Sequence, residues 1–170
     1  AIVHRGKYYI GLKQNKGFLE PKDTLQLSLI TVTPEGAVLP DQQLVVKVIK
    51  REWRSVRKAG SGGRYEWLTE KTETEAARFD LTTGSQPKQI SYQPTAPGFY
   101  LVRALGVDGQ SNRIITDGDF YATGPGYVSW EMRNDDRIDL VSDKTMYQPG
   151  QTAKIMIKSP YPKTRALITI

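Results

Sequence analysis

Apolar and polar residues alternate with a period of two through most of the chain, the pattern of half-buried strands. Residues 7–13 (KYYIGLK) form the first such run. Residues 25–33 (LQLSLITVT) form the second, with Leu25, Leu27 and Leu29 on one face. Residues 44–52 (LVVKVIKRE) predict a long strand that continues through Trp53 to Arg57. The glycine-rich stretch 59–63 (AGSGG) predicts a hairpin loop, and residues 64–69 (RYEWLT) return from it. Further strands are expected near 77–81, at 89–92, at 99–107 (FYLVRALGV) and at 113–122, with Asp108-Gly109 as a hairpin signal between the last two. Turns fall at 33–36 (TPEG), 39–41 (LPD) and 95–98 (TAPG), where Pro fixes φ and Gly accepts positive φ. No long run repeats with the helical period. Seven or eight strands joined by turn-rich connections predict an all-β sandwich.

One stretch occurs twice. Residues 139–159 (DLVSDKTMYQPGQTAKIMIKS) repeat the character of residues 11–29 (GLKQNKGFLEPKDTLQLSL) at a constant offset of 128. Leu140 answers Leu12, Lys144 answers Lys16, Pro149 answers Pro21 and Thr152 answers Thr24. In the later copy Ala153, Ile155 and Ile157 share one face, and Lys154 and Lys158 the other. A module opening used twice predicts a complete sandwich at 1–123, a linker at 124–136 and the first strands of a second sandwich at 137–170. The linker carries Tyr127, Val128, Trp130 and Met132, too apolar for a free tether, so Tyr127 and Trp130 are candidate residues of an inter-domain interface. The chain begins without Met and ends inside the apolar run 166–170, which reads as a piece of a longer protein.

Composition adds little. The 170 residues are 38% hydrophobic and 25% charged, a globular balance. There is no cysteine, so neither disulfides nor thiolate chemistry is available within the chain. No signal peptide or transmembrane run is seen.

The net charge of +6 raises nucleic acid as a partner. Much of the excess lies in Lys47, Lys50, Arg51, Arg54, Arg57, Lys58 and Arg64, interleaved with Trp53, Tyr65 and Trp67. Phosphate contacts and base stacking would use such a set. The competing reading, which we favour, is a charged hairpin. Glu66, Glu70, Glu73 and Glu75 would pair across the strands with the cations, and Trp53 would pair with Trp67. No nucleic acid is therefore expected.

Candidate chemistry is sparse. His4 is the single histidine, too few for a multi-histidine metal site, and no Ser/His/Asp set can be built around it. Glu73/Glu75 and Asp135/Asp136 read as solvated charge, and Asn134-Asp135-Asp136 lacks EF-hand spacing. Gly60-Ser61-Gly62-Gly63 lacks the Lys-Ser/Thr and following helix of a phosphate loop. The expectation is a protein that is not an enzyme, with no catalytic residue, cofactor or metal.

Several blocks together resemble the bacterial alpha-2-macroglobulin family. They are Tyr8-Tyr9-Ile10-Gly11-Leu12, Arg51-Glu52-Trp53, Pro97-Gly98-Phe99-Tyr100, Gly124-Pro125-Gly126-Tyr127, residues 139–158 and Lys158-Ser159-Pro160-Tyr161-Pro162. The resemblance implies seven-stranded macroglobulin-like sandwiches of fibronectin-III or immunoglobulin-like architecture, strung in a large protease trap. In such a trap a protease cuts a bait segment and is caged by the rearrangement. Proteases and neighbouring macroglobulin-like domains would be its partners, and the periplasm or extracellular space its location. Many members carry a thioester built from a Cys and a Gln; this chain has no Cys, so no thioester or bait residue is carried over. The alternative is a surface adhesion or ligand-binding array of sandwiches using the hairpin between Trp53 and Trp67.

Overall fold

The computed structural model describes residues 6–59, 65–125, 128, 138–159, 165 and 167, with only the backbone at 55, 57, 59 and 65–68. All regular structure among them is β. The strands are β1 (Tyr9–Gln14), β2 (Phe18–Leu19), β3 (Leu25–Val32), β4 (Gln43–Ala59), β5 (Tyr65–Thr82), β6 (Lys88–Tyr92), β7 (Gly98–Val107), β8 (Arg113–Ala122), β9 (Leu140–Ser142) and β10 (Ile155–Ile157). β1, β3 and β6 make one sheet in the order β1-β3-β6, and a second runs β2-β8-β7-β4-β5. β9 and β10 pair as a separate ribbon.

The two larger sheets face each other as a sandwich. Alternation decides which side chains go inside. Ile10, Leu25, Leu27, Leu29 and Ile90 come from the smaller sheet, and Leu44, Val46, Val48, Tyr100, Val102, Ala104 and Phe120 from the larger. Leu25, Leu27 and Leu29 are fully buried, as their spacing predicts. Tyr100 stacks on Phe120 with centroids 5.0 Å apart, and Tyr92 meets Phe120 edge-on at 6.3 Å.

The hairpin of β4 and β5 departs from the sequence reading. Instead of two short returning segments, β5 is one strand of 18 residues that pairs with β4 along its whole length. Its polar middle, residues 70–76, is exposed at the sheet edge, where no apolar alternation is needed. The ladder also slips once. Val48 pairs with Ala77 and Ile49 with Glu75, so Ala76 is an extra residue, a β-bulge. The bulge resets the alternation, so Ala77, Phe79 and Leu81 pack on the core while Glu73 and Glu75 turn to the other face.

The internal repeat is exact in register. Adding 128 to each member of the β1–β3 pairs Leu12↔Leu29, Lys13↔Ser28 and Gln14↔Leu27 gives the β9–β10 pairs Leu140↔Ile157, Val141↔Met156 and Ser142↔Ile155. The turns repeat as well. The Gln26 N–H donates to Asn15 Oδ1 at 2.9 Å, and the Lys154 N–H donates to Asp143 Oδ1 at 3.0 Å. The Glu20 N–H is held by Asp23 Oδ2, and the Gln148 N–H by Gln151 Oε1.

The residue after Pro21 or Pro149 takes positive φ in both copies: Lys22 at 75° and Gly150 at 86°. Glycine suits that geometry and lysine is strained in it. Lys22→Gly is expected to stabilise the sandwich by about 0.5–1 kcal/mol, read as a higher urea midpoint. A lower midpoint would refute it.

Asp108 closes the β7–β8 hairpin. Its carboxylate accepts from the backbone N–H groups of Lys7, Gln110 and Asn112 and from the Asn112 amide, all at 2.9–3.0 Å. The Asn112 side chain, then the N–H groups of Asn112, Lys7 and Gln110, draw its pKa down to about 2 against the effect of burial. An unfolded aspartate titrates near ~3.9. The folded value is the lower one, so this stabilisation is whole above about pH 4 and is lost as pH falls towards 2. Urea midpoints should show a gap between wild type and Asp108→Ala that is wide at pH 5.5 and narrows at pH 2.5. A gap independent of pH would contradict this role.

Candidate functional site

A sandwich strand open to water on its outer face should be polar there. β7 is not. Its first five residues are all buried, because Phe99 and Leu101 face away from the main core and are still covered. Together with Phe18, Ile49 and Tyr121 they form a second apolar cluster on the outer face of the five-stranded sheet. Phe99 and Tyr121 meet edge-on at 5.0 Å, and Trp53 leans on Phe99 at 5.1 Å. The Arg51 guanidinium lies 5.6 Å from the Phe99 centroid.

The cover comes from the ribbon. Val141 of β9 and Met156 of β10 pack on this cluster. At the sheet edge the Gly17 carbonyl accepts from the Tyr121 N–H, while the Gly17 N–H donates to the Asp143 carbonyl, both at 3.1 Å. A Cβ on Gly17 would lie 2.7 Å from the Ser142 carbonyl oxygen, so only glycine admits the ribbon this close. Lys154 bridges Glu20 at 2.9 Å. Lys158 bridges Asp139 at 3.1 Å, and its Nζ stands 4.4 Å over the Tyr121 ring. Burial opposes the charge of Lys158, but Tyr121 and Asp139 outweigh it and raise the pKa. Burial raises the Tyr121 pKa as well.

The face of β10 that carries Lys154, Met156 and Lys158 is thus the one seated on the sandwich. The opposite face is open. Leu140 and Ile155 are 64% and 57% exposed, whereas Leu27, the counterpart of Ile155, is fully buried. The site is a contact between the sandwich and the β9–β10 ribbon.

The sequence-derived candidates fare differently. Tyr127 and Trp130 lie outside the described residues, as do His4, residues 60–63, Arg64 and residues 134–136. Among the described residues, the contact between ribbon and sandwich rests on Gly17, Phe18, Phe99, Tyr121, Val141 and Met156. Their signal in the sequence is apolar character on both faces at 99–102 (FYLV) and 120–122 (FYA).

Three cations at the base of the basic hairpin are paired. Lys47 pairs with Glu75 at 2.6 Å, Arg51 with Glu73 at 2.6 Å and Lys50 with Glu52 at 3.0 Å. Trp53 and Trp67 are not register partners in the ladder. Trp53 stands opposite Lys71, and Trp67 opposite Arg57, because the hairpin is longer than its apolar signal suggests. Trp53 packs on Phe99 instead. Among the described residues no group of three or more His, Cys, Asp or Glu could hold a metal ion.

Residues 11–127 match the family described as bacterial macroglobulin domain 6. The chain belongs to the bacterial alpha-2-macroglobulin family. An alpha-2-macroglobulin homolog of Nostoc sp. is 27% identical over 155 residues, covering 89% of this chain. The fold matches two solved alpha-2-macroglobulins over 91% of this chain. One is the native conformation from E. coli (17% identity, TM-score 0.60), and the other is the Salmonella protein reacted with methylamine (14% identity, TM-score 0.59). The chain spans only 8% of the Nostoc protein and 10–11% of the other two. It is therefore a macroglobulin-like β-sandwich with a short ribbon attached, a small part of the length of such proteins. With no cysteine in 170 residues, a thioester made from Cys cannot lie within it.

Proposed function

We propose that this chain is a non-catalytic scaffold segment of a large alpha-2-macroglobulin-like protease inhibitor, periplasmic or extracellular, that traps proteases after bait cleavage. In this reading residues 1–123 are one macroglobulin-like domain, 124–136 the linker and 137–170 the opening of the next. The observation that carries it is the apolar cluster on the outer face of the five-stranded sheet, capped by β9–β10. The register of that ribbon supports a second sandwich. Its open face holds Leu140, Ile155 and Ile157, the counterparts of Leu12, Leu27 and Leu29. A joint packed through Phe99, Tyr121 and Met156 would pass a change of angle from one domain to the next. The protease would be a partner of the parent, with this segment contributing no reactive group.

The test is limited proteolysis of the intact parent with several unrelated proteases, followed by mass spectrometry and small-angle scattering. The expected result is an early cut by all of them in one short segment outside the sandwich, followed by compaction. Cuts scattered between domains without compaction would sink the reading. They would favour a surface adhesion or ligand-binding array that uses the basic-aromatic hairpin between Trp53 and Trp67.

A further inference from the structure

The β4–β5 hairpin is much longer than the sheet that supports it. β7 pairs with β4 only from Leu44 to Arg51. Beyond Arg51, eight residue pairs, from Glu52↔Thr72 to Ala59↔Tyr65, run on with no third strand beside them among the described residues. At about 3.3 Å per residue this overhang reaches roughly 26 Å past the sandwich. A two-stranded ribbon alone is marginal in water, so an arm of this length calls for a surface to lie on.

The register says where it points. The overhang starts where Arg51 pairs with Phe99, and β8 ends at the same end of the sheet, where Ala122 pairs with Gly98. The arm and the outgoing chain therefore leave the sandwich together. The face also fits. Trp53, its partner Lys71 and Thr69 two residues before it continue the outer face of the five-stranded sheet, the face on which β9–β10 is seated. Trp53 belongs to both features, since it packs on the apolar cluster that Val141 and Met156 cover.

From this continuity we propose that the overhang is a strut. Its Trp53–Thr69 face lies along the sandwich that β9–β10 opens in the same chain and fixes the angle between the two domains. Val56, 62% exposed on the other face, points away from that contact. This inference rests on the reading of β9–β10 as the start of a second domain, and the experiment separates the two.

Hydrogen exchange is measured by mass spectrometry on the intact parent. Peptides spanning 138–159 report whether the second sandwich closes on β9–β10. Peptides spanning 52–59 and 65–72 report the strut. The expected result is strong protection in both regions, with strut amides at least about tenfold slower than in the 170-residue chain. Thr69→Arg, on the docking face, should abolish that gain, and Val56→Arg, on the opposite face, should keep it. Protection at 138–159 with a fast-exchanging strut overturns the strut and leaves the second domain standing. Fast exchange at 138–159 overturns both. Equal sensitivity to the two arginine variants, or protection that grows with protein concentration, overturns the strut in favour of general destabilisation or self-association.

Discussion

Gly106→Ala should lower the stability of the sandwich by about 2–3 kcal/mol, the upper range for overpacking a filled core. In a chain of this size that lowers the thermal midpoint by about 5–10 °C. Gly106 lies on β7 opposite Leu44. A Cβ there would stand 2.2 Å from the Tyr8 hydroxyl and 2.9 Å from Leu44 Cδ2. Neither neighbour has room to yield, since Tyr8 is 1% exposed and Leu44 2%. The collision names its own control. Tyr8→Phe removes the atom that is struck first, so Gly106→Ala should cost clearly less in the Tyr8→Phe background. Chemical denaturation of the four proteins in this cycle checks both statements. Equal losses in the two backgrounds would place the strain elsewhere.

Gly17→Ala is expected to leave the sandwich folded and release the ribbon. The added methyl meets a carbonyl oxygen of the backbone, at Ser142, which cannot rotate out of the way. Relief requires β9 to move off the sheet. That motion would uncover Phe18 and Tyr121 and part Lys158 from the Tyr121 ring. The unfolding midpoint should change little, because the core of Leu25, Leu27, Val46, Val102 and Phe120 is untouched. Amides at Leu140–Ser142 and Ile155–Ile157 should exchange about tenfold faster or more. The radius of gyration should rise. Unchanged exchange in the ribbon would show that the close approach of Gly17 is not what holds it.

The sandwich was legible wherever one face of a strand is buried and the other wet. Leu25, Leu27 and Leu29 display that period, and so do Leu44, Val46 and Val48. The repeat was legible for a related reason, since turn chemistry at Pro21 and Pro149 and strand pattern recur together. Two things were hidden. The middle of β5, EKTETEA at 70–76, has no apolar face because it is an edge with one side on solvent, and its bulge breaks the period at Ala76. The joint was hidden because its members look like ordinary core. Phe99 and Tyr121 alternate with Tyr100 and Phe120, and nothing local says that the two sets serve different neighbours. Lys154 and Lys158 misdirect in the other direction. Their charge marks a solvated face, yet that face is docked, with ammonium groups placed over an aromatic ring and beside carboxylates at its rim.

The bulge at Ala76 has an evolutionary corollary. It bends and twists the β4–β5 ladder close to the point where the hairpin leaves its supporting strand. The direction in which the arm departs therefore depends on the number of residues in β5 more than on their identity. Deletion of that one alanine codon would restore an unbroken ladder and re-aim the arm, with Ala77 still against the core and Glu75 still outside. Substitutions in the core would not be needed. One insertion or deletion in β5 is therefore enough to re-aim the arm while the packed core stays as it is.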